Sequence, residues 1–316
     1  MSYGITIPFD GVALAEHRSW FEGIARLGYT DVWSAEVDGT DAFTPLALAA
    51  AWEPTLRLGT AIVPSFTRGP ALVAQSAAAM AEAAPGRFAL GVGTSSNVIV
   101  QRWNGLKFDK PYQRTRDLVR FLRRALAGER VDDEYETFTV RGFRLGRPPA
   151  VPPPILVAAL RPGMLRLAGR EADGVIINWL AADDVPRAVA EVGPGREVVA
   201  RIYVCPSEDT GTVRHQARRL IAAYLNVPVY AAFHEWLGRG AALRGMWDAW
   251  AAGDRGAAAA AIPDDVVDSL VLHGAAASVR DQIGRYVANG VTTPALALLP
   301  LAGVDQRTAI RELAPH

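Results

Sequence analysis

The segment Arg57–Gly93, RLGTAIVPSFTRGPALVAQSAAAMAEAAPGRFALGVG, holds one complete strand–helix–strand unit. An apolar run, Arg57–Val63, leads into a helical pattern, Pro70–Ala83, and then into a second apolar run, Phe88–Val92. Near-continuous apolar runs of this length suit parallel strands buried on both faces. Pro70 stands where a first-turn proline belongs. The same alternation extends in both directions. Further strand-like runs are Gly4–Pro8, Asp31–Ser34, Ile155–Ala158, Gly174–Asn178, Val198–Cys205 and Pro294–Leu299. Helical patterns between them cover Leu14–Leu27, Pro45–Trp52, Tyr112–Ala127, Met164–Ala172, Asp183–Val192, Thr212–Leu225 and Val279–Asn289. Thr44 is placed to cap the helix that Pro45 opens, and Gly28, Gly128 and Gly290 are placed to stop helices. Eight such units predict a (β/α)8 barrel. A doubly wound open sheet needs fewer strands and usually an early G-x-G-x-x-G loop. The first strand here is followed by Pro8-Phe9-Asp10-Gly11-Val12 instead.

Composition bounds the rest. Of the 316 residues, 50% are hydrophobic and 21% are charged, which predicts a large core rather than disorder. Lys+Arg and Asp+Glu both number 33, so the basic excess of a nucleic-acid binder is missing. No apolar run reaches the ~18 residues of a membrane span. The N-terminus enters strand-like sequence without a basic and apolar leader, so no secretory signal is expected. The single cysteine, Cys205, rules out an internal disulfide and fits a reducing cytoplasm; it reads as a small buried apolar residue. One domain, 1–316, is expected, with two insertions. Residues 128–154 read as a β-hairpin followed by a proline-rich loop. Residues 226–272 read as extra helices carrying Trp236, Trp247 and Trp250: a lid or pocket wall, a surface helical pair, or an oligomer contact.

In a barrel of this kind the chemistry sits at the C-terminal strand ends. Glu36 follows the second strand as a carboxylate in an apolar setting, suited to proton transfer or, equally, to an ion pair with a nearby arginine. After the fourth strand, Gly91–Asn97 brings glycines together with the hydroxyls of Thr94, Ser95 and Ser96. Arg161, Pro162 and Gly163 open a helix whose amides can hold an anion; Arg161 pairing with a local carboxylate is the alternative. The histidines are His17, His215, His234, His273 and His316, and none ends one of the eight strand runs. His17 and His215 read as helix-surface residues, while His234 lies in the second insertion, where a surface or core place is favoured over reach into the pocket. Neither H-E-x-x-H, a cysteine pair nor a carboxylate cluster is present, so no metal is expected. The G-x-S-x-G elbow is missing as well.

The runs Leu58–Pro64, Pro70–Gln75 and Gly86–Thr94, with Pro154–Ala159, Ala168–Val175 and Gly290–Thr293, resemble the luciferase-like monooxygenase superfamily across essentially the whole chain. Within it the chain looks most like the actinobacterial oxidoreductases that use the deazaflavin coenzyme F420. The resemblance implies a non-proline cis peptide at Ala61–Ile62, next to Val63, backing the deazaflavin ring. It implies coenzyme contacts from Thr94 and Ser95, and phosphate and tail contacts from Leu160, Arg161, Gly163 and Met164. Asn178 and Trp179 match residues facing the substrate, and Ser96, Tyr230 and His234 are further pocket candidates. The sugar-phosphate dehydrogenases of the group carry an acid–base histidine where Glu36 stands here, and a glutamate where Ser96 stands. Their phosphate-binding lysines have no counterpart, so a more apolar small-molecule substrate is expected. The resemblance also implies a homodimer. The readings carried forward are hydride transfer with F420, oxygenation with reduced FMN on the same fold, and a non-catalytic coenzyme binder.

Overall fold

The computed structural model of the protein describes residues 2–315; His316 lies outside them. Eight parallel strands form the barrel: β1 (Gly4–Thr6), β2 (Asp31–Ser34), β3 (Arg57–Thr60), β4 (Phe88–Gly93), β5 (Ile155–Ala158), β6 (Gly174–Asn178), β7 (Glu197–Cys205) and β8 (Thr293–Leu298). They pair in chain order, and β8 closes the ring on β1 with Gly4 opposite Ala295. A two-residue strand, Val63–Pro64, resumes the line of β3 beside β4. Helices cover the outside, and the core between them and the strands is aliphatic and aromatic, with Phe21, Leu46, Leu58, Leu90, Phe121 and Leu296 fully buried.

Both insertions take the expected form. The first contains the hairpin Val131–Glu134 and Thr139–Phe143. The second contains the helices Pro228–Trp236, Gly240–Ala251, Arg255–Ala260 and Asp264–Leu270. It then adds a short strand, Val271–His273, which pairs with the upper end of β7. The β6–β7 pairing ends at Asn178 opposite Arg201, below that addition. The strands therefore part above this level, and the barrel opens toward the second insertion. His273 ends this short strand and bonds Asp268 through Nε2 at 2.9 Å.

Two local readings need correction. The helix after β2 starts at Phe43, and its first amides are capped by Asp41 Oδ1, which accepts from Phe43 N (2.8 Å) and Thr44 N (3.0 Å), rather than by Thr44. Asp41 has the longer reach from a turn position and satisfies two end amides at once. His17 is fully buried, not on a helix surface: its Nε2 accepts from Phe9 N at 3.0 Å and its ring stacks on Phe9. His215 is exposed, as expected.

The barrel is plugged at its N-terminal end and hollow at the other. Arg57 donates to Glu197 through both Nη1 (2.6 Å) and Nη2 (2.8 Å), and to Asp31 Oδ1 at 3.2 Å. Burial pushes the Asp31 carboxyl above its ordinary value, against the opposing pull of Thr30 and Arg57. Above this network the Trp33 indole lies across the lumen as a floor. A Cβ on Gly59 would stand 2.2 Å from Trp33 Cζ3, and one on Gly4 2.8 Å from its Nε1. The indole fits because two neighbouring strands carry glycine beside it.

Candidate active site

Small residues hollow out the barrel above Trp33. Ala35, Ala61, Gly93 and Ala158 follow one another around β2 to β5. A Cβ on Gly93 would lie 2.9 Å from Ala158 Cβ and 3.2 Å from Ile62 Cγ1, so any larger residue would fill this cradle. The Ala61–Ile62 peptide is cis. Its two sides are tied to β2, since Ala61 N donates to Ser34 O (2.6 Å) and Ile62 O accepts from Glu36 N (3.2 Å). Val63 is fully buried against β4, opposite Val92.

Backbone strain collects at the same mouth. Ser95 and Trp179, directly after β4 and β6, have φ values of 60° and 54°. For a residue as bulky as tryptophan the left-handed region is an outlier that the surroundings must impose, and such residues concentrate at functional sites. Trp179 is held by Asn178 Oδ1, which accepts from its amide at 2.9 Å. Its indole is buried and stacked on Tyr203 at 3.9 Å between ring centres, with Tyr224 5.1 Å away. Tyr230 follows at 6.2 Å from Tyr224 and reaches Asn178 Nδ2 with its hydroxyl at 3.5 Å. Although part of Tyr230 touches solvent, its hydroxyl end is enclosed, and burial pushes the phenol up to about 12. Trp179, Tyr203 and Tyr224 thus form an aromatic stack beside the β6–β7 gap, and the second insertion adds Tyr230 to it.

Glu36 is half-buried and gripped on one side. Arg68 donates to its Oε1 from Nε (2.9 Å) and Nη2 (2.5 Å), and Ala42 N adds a contact at 3.3 Å. The ion-pair alternative is therefore present: Glu36 stands after β2 as half of a pair with Arg68. Across the mouth, Thr94 and Ser95 flank the strained turn, and Ser96 Oγ accepts from Ile99 N at the start of a π-helical turn, Val98–Trp103. After β5, Arg161 is the N-cap of the helix Pro162–Glu171. It is exposed and makes no ion pair among the described residues. Leu160 and Met164 flank it half-buried, and Gly163 is exposed.

Of the alternatives for His234, the structure shows the core one. The residue is completely buried in the helix Pro228–Trp236, and neither ring nitrogen has a hydrogen-bond partner. Burial, helped by the nearby Arg239 charge and opposed by the Trp179 backbone, drives its pKa down to about 3. A neutral imidazole therefore backs Trp179. Cys205 is fully buried, and burial pushes its thiol up to about 11, so it is inert. Among the described residues no three His, Cys, Asp or Glu side chains converge as metal ligands, and no helix is long and apolar enough to cross a membrane.

Sequence reading missed the polar groups on the β7–β1 side of the hollow. Thr6, Trp33 and Arg201 line one narrow cavity there with Ser34, Ala35 and Ala61. The available signal was Arg201 itself, a charged residue in the middle of the apolar run Val198–Cys205.

A closed parallel barrel with a hollow, strained, aromatic-walled C-terminal mouth defines a (β/α)8 enzyme scaffold. The chain belongs to the luciferase-like monooxygenase family, whose model matches residues 1–293. It is 27% identical over 300 residues to a 5,10-methylenetetrahydromethanopterin reductase of Archaeoglobus fulgidus, covering 90% of this chain and 89% of that one. It is also 27% identical over 328 residues to a putative coenzyme F420-dependent oxidoreductase of Mycobacterium tuberculosis, covering 92% and 93%. Among solved structures, the F420-dependent tetrahydromethanopterin reductase of Methanopyrus kandleri shares the fold with a TM-score of 0.80 at 20% identity, over 99% of this chain and 97% of that one.

Proposed function

We propose that the protein is a cytoplasmic coenzyme F420-dependent oxidoreductase, moving a hydride between the deazaflavin and a small, largely apolar organic molecule. The observation that carries this reading is the cradle of small residues beside Ala61–Ile62, where Ala35, Gly93 and Ala158 stand at neighbouring strand ends and a Cβ on Gly93 would press on Ala158 and Ile62. A relative named as a putative coenzyme F420-dependent oxidoreductase, matched over nine-tenths of the chain, supports the choice of coenzyme. When bound, the deazaflavin supplies the hydride chemistry, and the protein supplies position and electrostatics. Ala61, Ile62 and Val63 back the ring, and Thr94 and Ser95 hold its edge. Leu160, Arg161, Gly163 and Met164 receive the phosphate and tail, with the helix N-terminus and the unpaired Arg161 charge favouring an anion.

On the substrate side, Ser96, Asn178, Trp179 and Tyr230 form the wall, and His234 supports Trp179 from behind. Glu36 handles the proton through Oε2, the oxygen that Arg68 leaves without a bond. The pair keeps the carboxylate oriented, and a proton arriving at Oε2 does not require the Arg68 contact to break. The working form is a homodimer, with sedimentation as its check. Titration with oxidised F420, followed by quenching of its fluorescence, tests the reading: saturable binding that reduced FMN does not displace is expected. Failure to quench would overturn it, and displacement by FMN would favour the oxygenating alternative.

A further inference from the structure

The cavity on the Trp33 floor is lined by donors. Thr6 Oγ1, Trp33 Nε1 and Arg201 Nε are each buried without a partner, and all three residues border the same small space. An indole N–H and a guanidinium can only donate, so they cannot satisfy one another. Its other walls are Ser34, whose hydroxyl is committed to Ala42 O, and apolar residues including Ile176, Val199 and Ala295. No carboxylate borders it. Arg201 makes no ion pair among the described residues, and its one close neighbour of note is the Tyr203 ring, 5.1 Å from its guanidinium carbon.

Arg201 is half-buried, and its enclosed Nε is costly to leave without an acceptor. The other central charge of the barrel, Arg57, is matched by Glu197 and Asp31 below the indole. Arg201 stands one lumenal step above Val199, level with Asn178, where β6 and β7 separate. Its unpaired Nε thus borders the small cavity above the Trp33 floor, with the Tyr203 ring beside it.

We infer that Arg201, with Trp33 Nε1 and Thr6 Oγ1, is a specificity site for a carboxylate group of the substrate, buried at the floor of the mouth. The substrate class that follows is a small organic acid, its apolar body against Trp179, Tyr203 and Tyr230 and its carboxylate directed to Arg201. Calling the anion a substrate rests on the oxidoreductase reading above; the anion site itself does not.

Calorimetric titration of the full-length protein with acetate, propionate and benzoate, against their primary amides, tests the site with and without F420. At least one acid is expected to bind about tenfold or more tightly than its amide. Arg201→Met is expected to abolish that preference while leaving F420 affinity within twofold, and Arg201→Lys to retain part of it. The melting temperature of R201M is expected to match or exceed the wild-type value, because an uncompensated charge is removed. Equal binding of acids and amides in the wild type would overturn the inference, as would a preference that survives in R201M. A large fall in melting temperature would assign Arg201 a structural role, and loss of F420 affinity alone would assign it to the coenzyme. If F420 fails to bind the wild type while acids still discriminate, the oxidoreductase reading falls and the anion site stands.

Discussion

At Glu36 the two carboxylate oxygens have different neighbours. Oε1 takes both Arg68 bonds and the Ala42 amide, which leaves Oε2 without a partner among the described residues. Glu36→Gln keeps the shape and an acceptor for Arg68 but cannot carry the proton. It is expected to lower kcat about a hundredfold, with F420 affinity within twofold and stability lower by about 1 kcal/mol. Full activity in this variant would remove Glu36 from the proton path. Gly93 makes a second residue-scale case. Gly93→Ala places a methyl group against Ile62 and Ala158. F420 binding should weaken about tenfold or more in a titration while the fold survives, since overpacking of this size costs about 1–3 kcal/mol.

Among the elements, the helix Pro162–Glu171 and the following helix Val185–Val192 approach until Gly169 touches backbone. A Cβ at Gly169 would stand 1.9 Å from Val192 O. The obstacle is a carbonyl rather than a flexible side-chain end, so Gly169→Ala must push the helices apart. A loss of about 2–3 kcal/mol is expected in urea unfolding, and an unchanged midpoint would show that the helix pair yields freely. Boundaries were readable in the strands because apolar runs stop where burial stops: β2, β5 and β6 match their sequence runs end to end. Helix starts were less readable. The Asp41 cap lies two residues before the first helical residue, in a turn whose geometry the local sequence leaves open.

For the whole molecule, His234 makes stability depend on pH. Its folded pKa, about 3, lies below the ordinary value of 6.5. The folded state therefore binds fewer protons than the unfolded chain, and the associated stability is full above about pH 6.5 and is lost as pH falls toward 3. Arg239, paired with Asp184, stands near the ring and opposes a second positive charge there. Between pH 6.5 and 5, above the range in which most carboxylates titrate, the wild type should lose about 1 kcal/mol more per pH unit than His234→Gln. Parallel stability curves for the two would show that the imidazole takes up a proton without cost.

The barrel was legible because each strand and helix carries its own periodic signal, and eight repeats admit few architectures. The β-hairpin, the helical second insertion and the buried Cys205 were legible for the same local reason. Arg201 and Trp33 were not, although both belong to strand runs that were found. Which face of a strand points into a closed barrel, and what stands opposite, depends on how eight distant segments close around one axis. His17 went astray similarly: Phe9 N–H accounts for its burial, eight residues away across a turn. Strand order, helix placement and small residues at strand ends thus follow from the sequence, because they rest on neighbours within one unit. The donor-lined floor, the one-sided grip on Glu36 and the sealing of His234 were decided by tertiary structure, because burial and partner choice arise only when segments far apart in the chain pack together.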